Sequence, residues 1–133
     1  MKIQRVVLIA YIGCFFAFGA PAIFFPQWFA NLLGFTLSAK GALMEFIAAY
    51  GGLIIGIGIY LIYCLRNNIR SGLFAVLTIV GSLMIGRIAG YFVEQAVSDV
   101  QVFFLTIELM TIILVSSLLF TGPAVARTSA DLR

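Results

Sequence analysis

Val80-Gly81-Ser82-Leu83-Met84-Ile85-Gly86-Arg87-Ile88-Ala89-Gly90-Tyr91 lies inside an apolar run long enough to cross a bilayer. A run of that length with so few charges reads as a transmembrane helix. Ser82, Gly86 and Gly90 recur at every fourth position. On a helix that spacing makes a shallow stripe where another helix approaches closely. The same run carries Arg87. A guanidinium at hydrocarbon depth costs about 2.5–3.5 kcal/mol on insertion scales, so the sequence predicts a partner for it elsewhere in the chain.

The chain has 133 residues, of which 63% are hydrophobic and 10% charged. Soluble domains carry about 25% charged residues, so an ordinary soluble core is excluded. The expected fold class is all-α: an integral-membrane four-helix bundle. It forms one domain over residues 1–133, with spans at about 6–25, 42–65, 73–93 and 100–121. That leaves no room for a separate catalytic module. The net charge of +3 does not indicate nucleic-acid binding, because the basic residues lie at span ends, as in cytoplasmic loops. There is no histidine, which removes bis-histidine haem, most zinc and copper sites and histidine acid–base catalysis. No metal-ligand cluster, phosphate-binding loop or nucleophile–base pair is recognisable. No catalytic residue, metal or cofactor is therefore expected. Cys14 and Cys64 fall at different depths and read as packing residues without a disulfide.

Working outward, Lys2 and Arg5 precede the apolar run Val6 to Phe25. The pattern imitates a secretory signal, but Pro21 blocks cleavage after Ala20 and the run continues beyond it. It reads as a first span, with Pro21 tolerated near its end. Pro26-Gln27-Trp28-Phe29-Ala30-Asn31-Leu32-Leu33-Gly34-Phe35 follows. It predicts a short interfacial helix between the first two spans, started by Pro26, anchored at headgroup depth by Trp28 and ended at Gly34. A packed loop plugging the bundle is the alternative. In the second span, Gly52 and Gly56 are expected at helix contacts, as are Ser82, Gly86 and Gly90 in the third. Residues 66–72 and 94–99 read as polar connections, and Gly122-Pro123 as the end of the fourth span.

Lys2, Arg5, Arg66, Arg70, Arg127 and Arg133 fall on one side of such a layout and only Lys40 on the other. This predicts cytoplasmic N- and C-termini. Arg87 then lies about 9 Å below the outer end of its span, Glu108 about 12 Å and Glu45 about 5 Å below theirs. All three belong to the outer half of the membrane. On a regular helix Glu45 shares a face with Gly52 and Gly56, Arg87 with Tyr91 and Glu94, and Glu108 with Gln101 and Thr111. Three readings stand side by side. Arg87 snorkels toward Glu94; the trio is a structural ion pair with a second, hydrogen-bonded carboxyl; or it lines a polar pocket for an anionic headgroup or carboxylate.

Glu45, Tyr50-Gly51-Gly52 with Gly56 and Gly58, Gly86-Arg87 with Gly90, and Glu108-Leu109 resemble, in order and spacing, a family of small four-span bacterial inner-membrane proteins of unknown function. The resemblance covers the second to fourth spans and implies a multi-pass protein of the bacterial cytoplasmic membrane. The layout is also similar to that of DoxX-like four-helix membrane proteins, some of which are associated with quinone or sulfur redox chemistry. Without histidine or a redox cysteine pair, that activity does not carry over.

The expected function is a small non-enzymatic membrane protein. It binds a lipid or another small amphiphile through Arg87, Glu45 and Glu108, or assists assembly of a partner. The alternative is an accessory subunit docking through its glycine faces; a membrane enzyme or transporter ranks below both. The partners expected are membrane lipids and a homo-oligomer or larger membrane complex, with no nucleic acid.

Overall fold

The structure, a computed structural model, describes residues 2–120. Thr121, Gly122-Pro123, Arg127 and Arg133, used above, lie outside the described residues. Every regular element among those described is helical: α1 (Lys2–Phe24), α2 (Pro26–Leu32), α3 (Ala42–Phe46), a π-helical segment (Ile47–Gly52), α4 (Leu53–Asn67), α5 (Ile69–Glu94) and α6 (Asp99–Phe120). Four stretches are long and apolar enough to cross a membrane: Lys2–Phe24, Ala42–Asn67, Ile69–Glu94 and Asp99–Phe120. This inventory fits the expected membrane four-helix bundle. The described residues divide into two compact units, Arg5–Gly72 and residues 2–4 with 73–120.

In the Arg5–Gly72 unit, α1 runs antiparallel to the second span, and glycines mark where the backbones close. A Cβ built on Gly19 comes within 2.8 Å of Ile55 Cγ1, one on Gly51 within 2.5 Å of Ile23 Cγ1, and one on Gly58 within 2.9 Å of Phe16 Cε2. At the far end Gly72 sits against Leu8 and Cys64, and Cys64 is a buried free thiol. α2 is the short helix expected after Pro26. Phe29 and Ala30 are buried with Ala22 and Phe46, and Phe18, Leu33, Leu37 and Tyr50 pack around them. Phe29 meets Phe18 edge-on at 4.8 Å, while Tyr50 stacks on Phe46 at 4.8 Å. Trp28 faces outward, 60% exposed. Gly34 ends the helix at φ +84°. The Phe35 N–H donates to the Ala30 carbonyl and the Gly34 N–H to that of Asn31, the paired bonds of a glycine-closed helix end.

The second span is not a uniform α-helix, which the sequence reading assumed. Its π-helical segment Ile47–Gly52 closes each hydrogen bond over one more residue than an α-turn. The extra residue offsets everything beyond Gly52 by roughly 100° of helix rotation. The shared face deduced for Glu45 and Gly56 therefore does not hold.

The connection expected over residues 66–72 is also shorter. Asn68 is the one extended residue between α4 and α5, at φ −155° and ψ 95°. Its Oδ1 accepts the Ser71 N–H at 3.1 Å, an N-cap that starts α5 at Ile69.

In the other unit, α5 and α6 are joined by residues 95–98. Gln95 closes α5 in the left-handed region at φ 53°, donating its N–H to the Tyr91 carbonyl. Leu73, Val76 and Val80 are buried on α5, and Glu108, Thr111, Val115 and Leu119 on α6. Both sets repeat at helical spacing. Past Val80 no residue of α5 is buried, nor is any residue of α6 before Glu108. The half of this hairpin nearest its connection is thus its open half, and Arg87 lies in it. Near the packed end, Gln4 Nε2 donates to the Leu118 carbonyl at 2.9 Å.

Candidate functional site

Arg87, Tyr91 and Glu94 stand on α5 at i, i+4 and i+7, so they ascend one face toward the connection. Gln101, Phe104 and Glu108 stand on α6 at i, i+3 and i+7 and make the facing column. The guanidinium joins the two. Nε donates to Glu108 Oε1 at 2.7 Å and Nη1 to Gln101 Oε1 at 2.9 Å. Cζ lies 4.8 Å from the centroid of the Phe104 ring, within cation–π range. Arg87 is therefore held in place by a carboxylate, an amide and an aromatic face at once.

The ion pair is uneven. The Glu108 side chain is 7% exposed and that of Arg87 28%. Glu108 Oε2 is buried with no hydrogen-bond partner among the described residues. A guanidinium has five N–H donors, and the two bonds above use one on Nε and one on Nη1. Three therefore have no described protein acceptor.

A cavity of about 490 Å³ opens beside the guanidinium, within the usual range for small-molecule pockets. Arg87, Tyr91, Glu94 and Gln101 supply its polar wall. Ile88, Phe92, Val97, Val102 and Leu105 supply the apolar remainder. A cationic anchor at the inner part of a largely apolar pocket suits a molecule with a charged head and a hydrocarbon body.

The other expected site residues are placed as follows. Arg87 and Glu108 are brought together. Glu45 belongs to the Arg5–Gly72 unit, exposed in the first turn of α3, where the helix dipole favours a carboxylate. Within their own units, a Cβ built on Gly56, Gly86 or Gly90 meets no described atom within 4 Å, and one on Gly52 meets only the Ile47 carbonyl at 4.0 Å. Close approach occurs instead at Gly19, Gly51, Gly58 and Gly72. Ser82 is exposed and bonds back to the Thr78 carbonyl at 2.8 Å. Phe104 is the residue of this cluster that the sequence reading missed. Its signal was present: it lies three residues past Gln101 and four before Glu108, on the face already assigned to both.

A family model described as "Domain of unknown function (DUF4345)" matches residues 3–119. The chain belongs to this family. No curated protein and no solved structure matches it. The DUF4345 match takes in the first span as well as the three from which the resemblance was drawn. It covers the whole α5–α6 cavity, from Arg87 to Glu108.

Proposed function

We propose that this DUF4345 protein is a small non-enzymatic protein of the bacterial inner membrane that binds a lipid or other small amphiphile at Arg87. One observation carries the reading: a guanidinium fixed by Glu108, Gln101 and Phe104 borders a cavity of about 490 Å³, with three N–H donors that have no acceptor among the described residues. Charge-assisted hydrogen bonds to an anionic group are the strong ones, and a site shielded from water strengthens them. Ile88, Val102 and Leu105 receive the hydrocarbon. The basic residues flanking the spans favour an orientation with this cavity in the outer leaflet. The layout shared with DoxX-like proteins belongs to the same reading for architecture and brings no redox role, since the chain has no histidine.

The test uses protein purified in mild detergent and mass spectrometry of the lipids that remain bound. The double variant Arg87→Met, Glu108→Gln removes both charges together and leaves neither buried alone. It is expected to keep its thermal stability and to lose its bound lipid. Unchanged lipid in a folded double variant would overturn the reading.

The exposed Ser82, Gly86 and Gly90 face favours a second reading, an accessory subunit or assembly factor docking against another membrane helix. Gly86→Leu then lowers the mass of the native complex extracted from membranes. A complex of unchanged size argues against it.

A further inference from the structure

The charges around the cavity specify its ligand more narrowly than "anionic". Between residues 71 and 120 the charged residues are Arg87, Glu94, Asp99 and Glu108: one cation and three acids. Arg87 is already paired with Glu108, and Glu94 lines the same cavity. A ligand carrying only negative charge gains the free N–H donors of Arg87 but brings its charge up against Glu94. A ligand with a positive group as well, placed beside Glu94, turns that repulsion into a second ion pair.

The order of the charges along the wall adds a direction. Glu94 is the last residue of α5, beside the connection, and Arg87 is two turns further in. The rise between their Cα atoms is roughly 10 Å. Both side chains line the cavity, so the gap that a ligand bridges is shorter. Tyr91 lies between them on the same wall, with a hydroxyl that both donates and accepts. The site therefore orders its contacts as anion receptor inside, amphoteric hydroxyl midway and cation receptor at the rim. In a phospholipid with an ethanolamine headgroup, the phosphate is attached on the hydrocarbon side and the ammonium projects beyond it. That order of charges matches the wall. A simple fatty carboxylate leaves Glu94 facing nothing, and a phosphatidylglycerol offers it neutral hydroxyls in place of a cation.

From this match we infer that the Arg87 cavity is selective for a zwitterionic amphiphile of the phosphoethanolamine type. The phosphate binds the free N–H donors of Arg87 and the primary ammonium binds Glu94. The inference rests on the amphiphile reading above and deepens it. It makes Glu94 a specificity residue rather than a solvated helix end.

The experiment reconstitutes the full chain with equal mole fractions of phosphatidylethanolamine and phosphatidylglycerol and counts bound lipid by native mass spectrometry. The wild type is expected to retain phosphatidylethanolamine over phosphatidylglycerol by about five-fold, the size of one partly exposed ion pair. Glu94→Gln brings the ratio to about one by releasing phosphatidylethanolamine, and the Arg87→Met, Glu108→Gln double variant loses both lipids. A wild-type preference for phosphatidylglycerol overturns the inference, as does a ratio unchanged by Glu94→Gln. If the double variant still loses both lipids in that case, the amphiphile site stands and only the role of Glu94 falls. If the double variant retains both, the site itself falls.

Discussion

Arg87 is held from three directions, and the consequences of removing it follow from how deeply its partner is buried. Glu108 is 5% exposed, and Arg87 is its cation. Arg87→Met alone leaves that carboxylate buried without a counter-charge, a loss of about 3–5 kcal/mol. Adding Glu108→Gln removes the stranded charge and recovers most of the loss. A double-mutant cycle in detergent, read by thermal unfolding, should therefore show strong coupling; losses that simply add would mean that the pair contributes nothing. The sequence disclosed this pair by depth and helix face, because an unanswered guanidinium in hydrocarbon is too expensive to ignore. It did not disclose which carboxylate. Glu45 and Glu108 lie about equally far in depth from Arg87, one above it and one below, and depth alone does not separate them. Gln101 was visible on the right face, whereas Phe104 was hidden among apolar neighbours that all look alike in a membrane span.

At the scale of the helix, the glycines separate into two kinds that composition does not distinguish. Gly51 sits where the π-helical segment meets α1, with Ile23 Cγ1 2.5 Å from a built Cβ and the Ile23 backbone N at 3.5 Å. Cγ1 is not the free end of the isoleucine side chain, so Gly51→Ala forces the two helices apart. A loss of about 1–3 kcal/mol is expected for such overpacking. Gly86→Ala has open space within its unit and should be neutral, or slightly stabilising through helix propensity. Thermal unfolding of the two variants side by side checks this, and equal melting points would refute the assignment. The four-residue spacing of Ser82, Gly86 and Gly90 looked like a packing stripe because small residues at that interval permit close approach. Permission is not contact, and only coordinates show which glycines use it. The π-helical segment was illegible for a related reason: hydrophobic periodicity is weak in a span that is apolar all round, so one added residue leaves no phase break to read.

For the whole molecule, hydrophobicity and span length determined more than any motif. An apolar chain of 133 residues with stretches of 22 to 26 residues at high hydropathy has few solutions other than crossing a membrane repeatedly. The α4–α5 junction turns within the single extended residue Asn68, with Arg66 and Arg70 on either side of it. The α5–α6 connection carries Glu94 and Asp99 at its ends and no basic residue. Positive charge biases a short loop toward the cytoplasm, whereas acids contribute little. The two ends of α5 therefore differ in the property that sets orientation, with Arg87 toward the acidic end. Reporter fusions after Arg70 should report cytoplasm, and fusions at Ser98 periplasm. A fusion after Arg133 should again report cytoplasm, an alternation that requires α5 and α6 each to cross the membrane. A periplasmic signal after Arg70 would invert the protein and put the Arg87 cavity in the inner leaflet. The lipid it meets would then come from the cytoplasmic side.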